Sequence, residues 1–336
     1  MFLVVFILGF FFGLILIFAK LNRYDTISGL ALLENFAVAK AIAVAIGVGI
    51  ILLTLEISFG LASFHIKPFL LVGIILGGII FGSGMAILGY CPGTLPVSFG
   101  EGSIDALIGI IGGLFGGLFY TIILPFIKNM LGPNFGDITL FTLIGSENIA
   151  YYLLGLIIAV SLIVIAFWLH KIEKSKDLKW LYAGIALAIL NGIVFLNFST
   201  DRIIGASTAY PYVSDYVSGT TGNSYFNTID VPGNWELIFL FGAFTAGLFN
   251  SLRKKEFKFI LIYDNWKKYK GNAPSKRIIW SFIGGFILII GARMAGGCTS
   301  GHILSGGMQL AVSSFVFAIF VFISLLITGK IFYKKN

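Results

Sequence analysis

Cys91 and Cys298 are the two cysteines of the chain, and each stands in a run of residues that interrupts helices. The first run reads Gly89-Tyr90-Cys91-Pro92-Gly93-Thr94, the second Gly296-Gly297-Cys298-Thr299-Ser300-Gly301-His302. Proline has no N–H and cannot continue a helix interior, but it fits a first helical position. Each cysteine is therefore expected at a break, near the start of a short helix or turn. Backbone N–H groups at such a place are unpaired and point at the occupant, which is an anion-binding arrangement. A thiol is a weak, soft donor, and it suits a polarisable sulfur acceptor better than a hard oxyanion. The candidate substrate site is Cys91, Cys298, Gly89, Pro92, Gly93, Thr94, Gly296, Gly297, Thr299, Ser300 and Gly301, with hydroxyls from Thr94, Thr299 and Ser300. A lone cysteine is ordinarily a small buried hydrophobe; the repeated context argues against that here. Cys91, Cys298 and His302 would make three metal ligands, but no tight ligand spacing supports a metal. A Cys91–Cys298 disulfide requires the two breaks to touch, with Cα atoms within about 7 Å.

The elements that must position these residues are apolar. Hydrophobic residues make up 58% of the 336 and charged residues 11%, against about 25% charged in soluble domains. A mean hydropathy of +0.98 excludes a water-soluble surface. A span needs about 20 mostly apolar residues, and nine such runs are expected, at 2–19, 36–58, 69–90, 104–127, 149–169, 179–197, 235–251, 278–297 and 308–329. All are expected to be helices, because open strand edges cannot face lipid. The run 2–19 lacks a basic leader and a small-residue cleavage site and reads as a retained span. The fold class is thus an all-α polytopic membrane protein.

The net charge of +8 does not indicate nucleic acid, since the cations lie between apolar runs. If the spans alternate, 19 of the 23 lysines and arginines fall on one side. The positive-inside rule then makes that side cytoplasmic, with the N-terminus outside and the C-terminus inside. Residues 198–234 contain no lysine and are expected as the main extracytoplasmic loop, its Tyr210–Tyr225 part read as a solvated connector. Trp180, Trp235 and Trp280 sit at expected span starts, where aromatic belts form.

Shifting the chain against itself by 207 residues places Gly77-Gly78 on Gly284-Gly285, Gly84 on Gly291, Gly89 on Gly296 and Cys91 on Cys298. Glycine-rich membrane segments align easily, but here the two cysteines fall in register as well. The halves are a first membrane repeat (1–128) and a second (179–336), joined by a connector with span five (129–178). Four spans plus one is an odd number, so the second half enters from the opposite side. Inverted repeats of this kind place a transport site at their interface, on broken helices near the midplane.

Arg293 lies inside a span, where a charge is functional by default. It either raises the local positive potential for an anion or pins a helix end by pairing with Glu34, Glu101 or backbone carbonyls. Glu56 and Asp105 are expected near span ends and solvated, His65 and His170 at the interface, and His302 as a helix cap rather than a proton carrier. No Gly-x-Ser-x-Gly, HExxH, Walker loop or dinucleotide fingerprint is present, so no cofactor is expected.

The segments GSGMAILGYCPGT (82–94) and GARMAGGCTSGH (291–302), followed by Ser305-Gly306-Gly307, resemble the YeeE/YedE family of sulfur-compound transporters, and the resemblance extends from about Tyr24 to Phe332. It implies an hourglass-shaped helical bundle with short helices entering from both faces. It also implies uptake of thiosulfate, or related sulfur or selenium compounds, across the cell inner membrane, with Cys91 and Cys298 passing the sulfane sulfur along by thiol hydrogen bonds. A small cytoplasmic sulfur-carrier protein often accompanies such proteins. Where thiosulfate-importing members carry a further cysteine after span one, this chain reads Lys20-Leu21-Asn22-Arg23-Tyr24-Asp25, closer to the YedE-type branch with its proposed selenium role. The leading expectation is a transporter for a small sulfur- or selenium-containing anion, with membrane lipid as its surroundings. The alternatives are an integral-membrane thiol enzyme passing sulfur to a cytoplasmic acceptor through a persulfide, and an assembly protein with incidental cysteines.

Overall fold

Apolar runs of this length must satisfy their backbone internally, and they do so as helices. The computed structural model describes residues 1–145, 149–173 and 176–334. Lys174 and Lys335, two of the cations that bear on orientation, lie outside the described residues. The long helices are α1 (Phe2–Phe18), α3 (Ala37–Ser58), α4 (Leu71–Leu88), α6 (Ile104–Ile127), α8 (Ile149–Glu173), α9 (Lys179–Phe195), α11 (Ser224–Arg253), α13 (Pro274–Met294) and α14 (Val312–Phe332). Between them lie the short helices α2 (Tyr24–Ala31), α5 (Thr94–Gly100), α7 (Leu140–Ile144), α10 (Ala209–Ser218) and α12 (Asp264–Lys270), and a π-helix, Thr299–Gly306. Among the described residues, seven helices are long and apolar enough to cross a membrane, and α1 and α9 are shorter apolar helices. The protein is an all-helical polytopic membrane protein. A count of nine spans requires α1 and α9, at 17 residues each, to cross as well.

The bundle is built on close helix crossings. α4 packs along α13 and α14, α6 along α13, α1 along α11 and α3 along α9, while α8 lies on α3 at the periphery. Small residues at the crossings let the backbones approach, as is usual between membrane helices. A Cβ added at Gly84 would lie 2.7 Å from Leu288 Cα, so α4 and α13 can only meet this closely with glycine there.

Four expectations are corrected. Span seven does not begin at residue 235: Asn223 caps α11, its Oδ1 accepting from Phe226 N–H at 2.8 Å, and the helix runs through Pro232. Proline inside a helix removes one hydrogen bond without ending the helix when neighbours satisfy the freed group. Residues 210–225, and the segment leading into them, are not a solvated connector either. Ile204, Ala206, Ser207, Thr208, Tyr210 and Asp215 are buried, because α10 packs between α6 and α11. Asp105 is not solvated. It is fully buried in an ion pair with the equally buried Arg277 at 2.5 Å. Finally, Trp180 and Trp235 are buried in the bundle rather than placed in an interfacial belt; Trp180 packs on Phe167 and Trp235 stacks on Phe239.

Candidate functional site

The first break forms where α4 runs out of helix-forming sequence. Gly89 takes a left-handed conformation (φ 78°) and ends α4; a side chain there would also strike the Tyr24 ring. Tyr90 turns inward, fully buried. Cys91 follows, and α5 starts at Thr94. Thr94 clamps the turn: its Oγ1 accepts from Cys91 N–H at 2.9 Å and donates to Cys91 C=O at 3.0 Å. The Pro92 carbonyl accepts the Tyr210 hydroxyl at 3.1 Å, which ties α10 to the break.

The second break is built differently. α13 ends at Met294, and Gly296 is left-handed (φ 77°). Gly297 N–H returns to Ala292 C=O at 2.8 Å. Cys298 is fully buried, and the N–H groups of Gly301 and Ser300, at the start of the π-helix, point at its sulfur. A π-helix of this kind frequently marks a functional site. His302 closes the end of α13: its Nε2 lies 2.7 Å from the Ala295 carbonyl and its Nδ1 3.2 Å from Ser314 Oγ. A carbonyl only accepts, so the proton sits on Nε2 and Nδ1 accepts from the hydroxyl.

The two breaks touch. A Cβ at Gly93 would lie 3.3 Å from Ser300 Oγ, and the thiols of Cys91 and Cys298 are within electrostatic range of each other and of Tyr210. Cys91, Thr94, Thr299 and Ser300 line one cavity of about 70 Å³, closed by apolar side chains that include Phe12, Leu16, Met85 and Phe322. Liquid water takes about 30 Å³ per molecule, so the space holds a small ion and nothing as large as a nucleotide. Thr299 Oγ1, buried on the cavity wall, has no hydrogen-bond partner. Such a group costs about 1–3 kcal/mol unless something in the cavity satisfies it. Cys298 does not line this cavity; its side chain is fully buried.

Sequence reasoning named Arg293 but missed Lys67, Arg202 and Glu236 near Cys298. Lys67 lies within electrostatic range of Cys298, Arg293, Arg202 and Glu236; its carbonyl accepts from the Ser313 hydroxyl at 3.0 Å, while its ammonium meets no hydrogen-bond or ion-pair partner among the described residues. Buried Glu236 accepts from the N–H groups of Thr208 and Ala209 at 2.5 and 3.2 Å. Arg293 pairs with neither Glu34 nor Glu101, which are held by Lys268 and Arg23. It donates instead to the hydroxyls of Tyr225 (2.8 Å), Thr208 (2.9 Å) and Ser207 (3.3 Å). Neutral partners leave its positive charge uncompensated by a direct contact. The available signals were the charge of Arg293 inside a span and the scarcity of cations outside the lysine-rich loops, which leaves Lys67 and Arg202 among the few.

Comparison with known proteins decides the class. The profile of the Sulphur transport family matches residues 24–327. The chain belongs to this family. Its match covers both cysteine segments, α2 and the α10 region alike. A curated relative, the Thiosulfate transporter TsuA of Spirochaeta thermophila, is 26% identical over 335 residues, covering 94% of each chain. As a member of the family the protein is a multi-pass membrane transporter of sulfur compounds, and its relative's name gives thiosulfate as that relative's substrate.

Proposed function

We propose that this protein imports thiosulfate, or a closely related small sulfur- or selenium-containing anion, through the contact between the two breaks. The observation that carries the reading is the cavity shared by Cys91, Thr94, Thr299 and Ser300, with Thr299 Oγ1 unpartnered. A thiosulfate ion has a hard end of oxygens and one soft terminal sulfur. Hydroxyls and N–H groups suit the first, thiols and apolar walls the second. The ion meets Lys67, Arg202 and Arg293 first, passes Cys298, and then enters the Cys91 cavity. No bond to sulfur has to form or break on this route.

The face carrying Lys20, Arg23, Lys254 and Lys268 is the cytoplasmic face of the inner membrane in this reading, by the positive-inside rule. The halves 1–128 and 179–336 form an inverted repeat about the connector 129–178. The packing supports this: Gly77 meets Ala295 where Gly284 meets Leu88, and Gly84 meets Leu288 where Gly291 meets Phe81. A shift of 207 residues exchanges the members of each of these pairs. A small cytoplasmic sulfur carrier is the natural receiver of the cargo.

The test is uptake of labelled thiosulfate, and of selenite in parallel, into proteoliposomes. A thiol contact is worth about 1 kcal/mol, so Cys91→Ala and Cys298→Ala should each lower uptake roughly fivefold to tenfold. Undiminished uptake in both variants would sink the two-thiol route. A mass-shifted persulfide on the purified protein after exposure to thiosulfate would favour the thiol enzyme instead.

A further inference from the structure

An ion leaving the Cys91 cavity towards the cation-rich face finds a carboxylate standing where an anion would sit. That face holds a second, polar cavity of about 430 Å³, lined by Lys20, Arg23, Asp25, Lys254, Glu256 and Tyr263 among others. The two cavities are separated by the short segment between α1 and α2. Leu21 and Ile27 line the inner cavity, and Lys20, Arg23 and Asp25 line the outer one. Asn22, between them, is fully buried.

The partners of this segment are on α5 and just beyond it. Asn22 Nδ2 donates to Glu101 Oε2 at 2.6 Å and to Ser98 Oγ at 3.2 Å. Ser98 Oγ donates to the Asn22 carbonyl at 2.6 Å. Arg23 donates to Glu101 Oε1 at 3.0 Å, and the Glu101 side chain is only 7% exposed. Both oxygens of Glu101 are thus held by an amide and a guanidinium, the donors that a small oxyanion would use. α5 joins the parts, since Thr94 at its start lines the cysteine cavity and Ser98 near its end holds the latch.

We propose that Asn22, Arg23 and Ser98 form an exit-side subsite for a small oxyanion, and that Glu101 occupies this subsite as a displaceable surrogate that closes the path. An arriving anion takes the two donors, and the carboxylate swings towards Lys20 and Lys254 in the outer cavity. The identity of the natural anion rests on the transport reading above; the latch itself does not.

The test uses Cys298→Ser protein, in which Cys91 is the single thiol, in proteoliposomes. A membrane-impermeant maleimide is applied from the cation-rich face and the rate of Cys91 labelling is read. Glu101→Ala should raise that rate about tenfold or more, as expected from losing hydrogen bonds to a charged group, and should leave labelling from the opposite face unchanged. Excess sulfate on the cation-rich face should then slow labelling in Glu101→Ala by refilling the vacated donors. Glu101→Gln keeps the side-chain volume and the Asn22 bond, and should show a smaller acceleration at an unchanged unfolding temperature. An unchanged rate in both variants, acceleration from both faces alike, or acceleration without protection by sulfate would each overturn the proposal. Sulfate has no soft sulfur, so failure of the thiosulfate reading would leave this result standing, and the reverse also holds.

Discussion

Thr299 holds a hydroxyl that nothing among the described residues satisfies, and at the scale of single residues this is where structure and function separate most clearly. Valine has nearly the same shape without the polar atom. Removing an unsatisfied buried group is neutral or stabilising, by up to about 1–3 kcal/mol. Thr299→Val should therefore raise or preserve the thermal unfolding temperature in detergent while lowering thiosulfate uptake. A fall in both would mean that the hydroxyl has a structural partner after all. Arg293 poses the opposite case. Its three hydroxyl partners hold the guanidinium in place without neutralising it, so its charge is free to act on an anion near Cys298. Lys67, whose ammonium has no hydrogen-bond or ion-pair partner among the described residues, adds to the same potential.

The elements explain what the sequence could and could not convey. Breaks at Gly89 and Gly296 were legible because proline and glycine act locally, through missing N–H groups and left-handed backbone. The matching of the two cysteine segments was legible because a shift of 207 residues aligns their glycines and both cysteines. α10 was not legible. Its sequence is polar, yet Tyr210 reaches Pro92 across 118 positions and Asp215 bonds Thr121 across 94. Polar residues satisfied by distant partners look like a solvated loop until the partners are known. The Asp105–Arg277 pair was missed for the same reason, being formed between residues 172 apart. It also fixes the end of α4, since Arg277 donates to the Leu88 carbonyl at 2.8 Å while its guanidinium stacks over the Tyr24 and Trp266 rings. Asp105→Asn would leave a buried guanidinium without its counter-charge and should cost about 3–5 kcal/mol, measured by equilibrium unfolding in mixed micelles. A second prediction concerns the α4–α13 crossing. Gly84→Ala puts a methyl group 2.7 Å from Leu288 Cα, and forcing the helices apart should cost about 1–3 kcal/mol in the same assay. Gly219, where an added Cβ meets nothing but φ is 71°, separates the two effects: alanine there tests backbone strain without a clash.

Across the whole molecule, the two faces differ in charge and in construction. One carries Lys20, Arg23, Lys254 and Lys268 with a polar cavity; the other gathers Lys67, Arg202 and Arg293 around Cys298. Under the proposed orientation, Lys258→Cys on a background without Cys91 and Cys298 should react with impermeant reagent only from the cytoplasmic side; reaction from outside would overturn that orientation. The proposed route runs through a small cavity whose walls are apolar apart from a thiol and three hydroxyls. That composition makes a specific demand on the cargo, because sulfate and thiosulfate share shape and charge and differ in a single soft sulfur. The most direct measurement is therefore the ratio of thiosulfate to sulfate uptake in proteoliposomes, for the wild-type protein and for the Cys91→Ser, Cys298→Ser double variant. The wild type should strongly prefer thiosulfate, and the preference should fall towards parity when both thiols become hydroxyls. Equal uptake of the two ions by the wild type, or a preference untouched by the double substitution, would contradict the account.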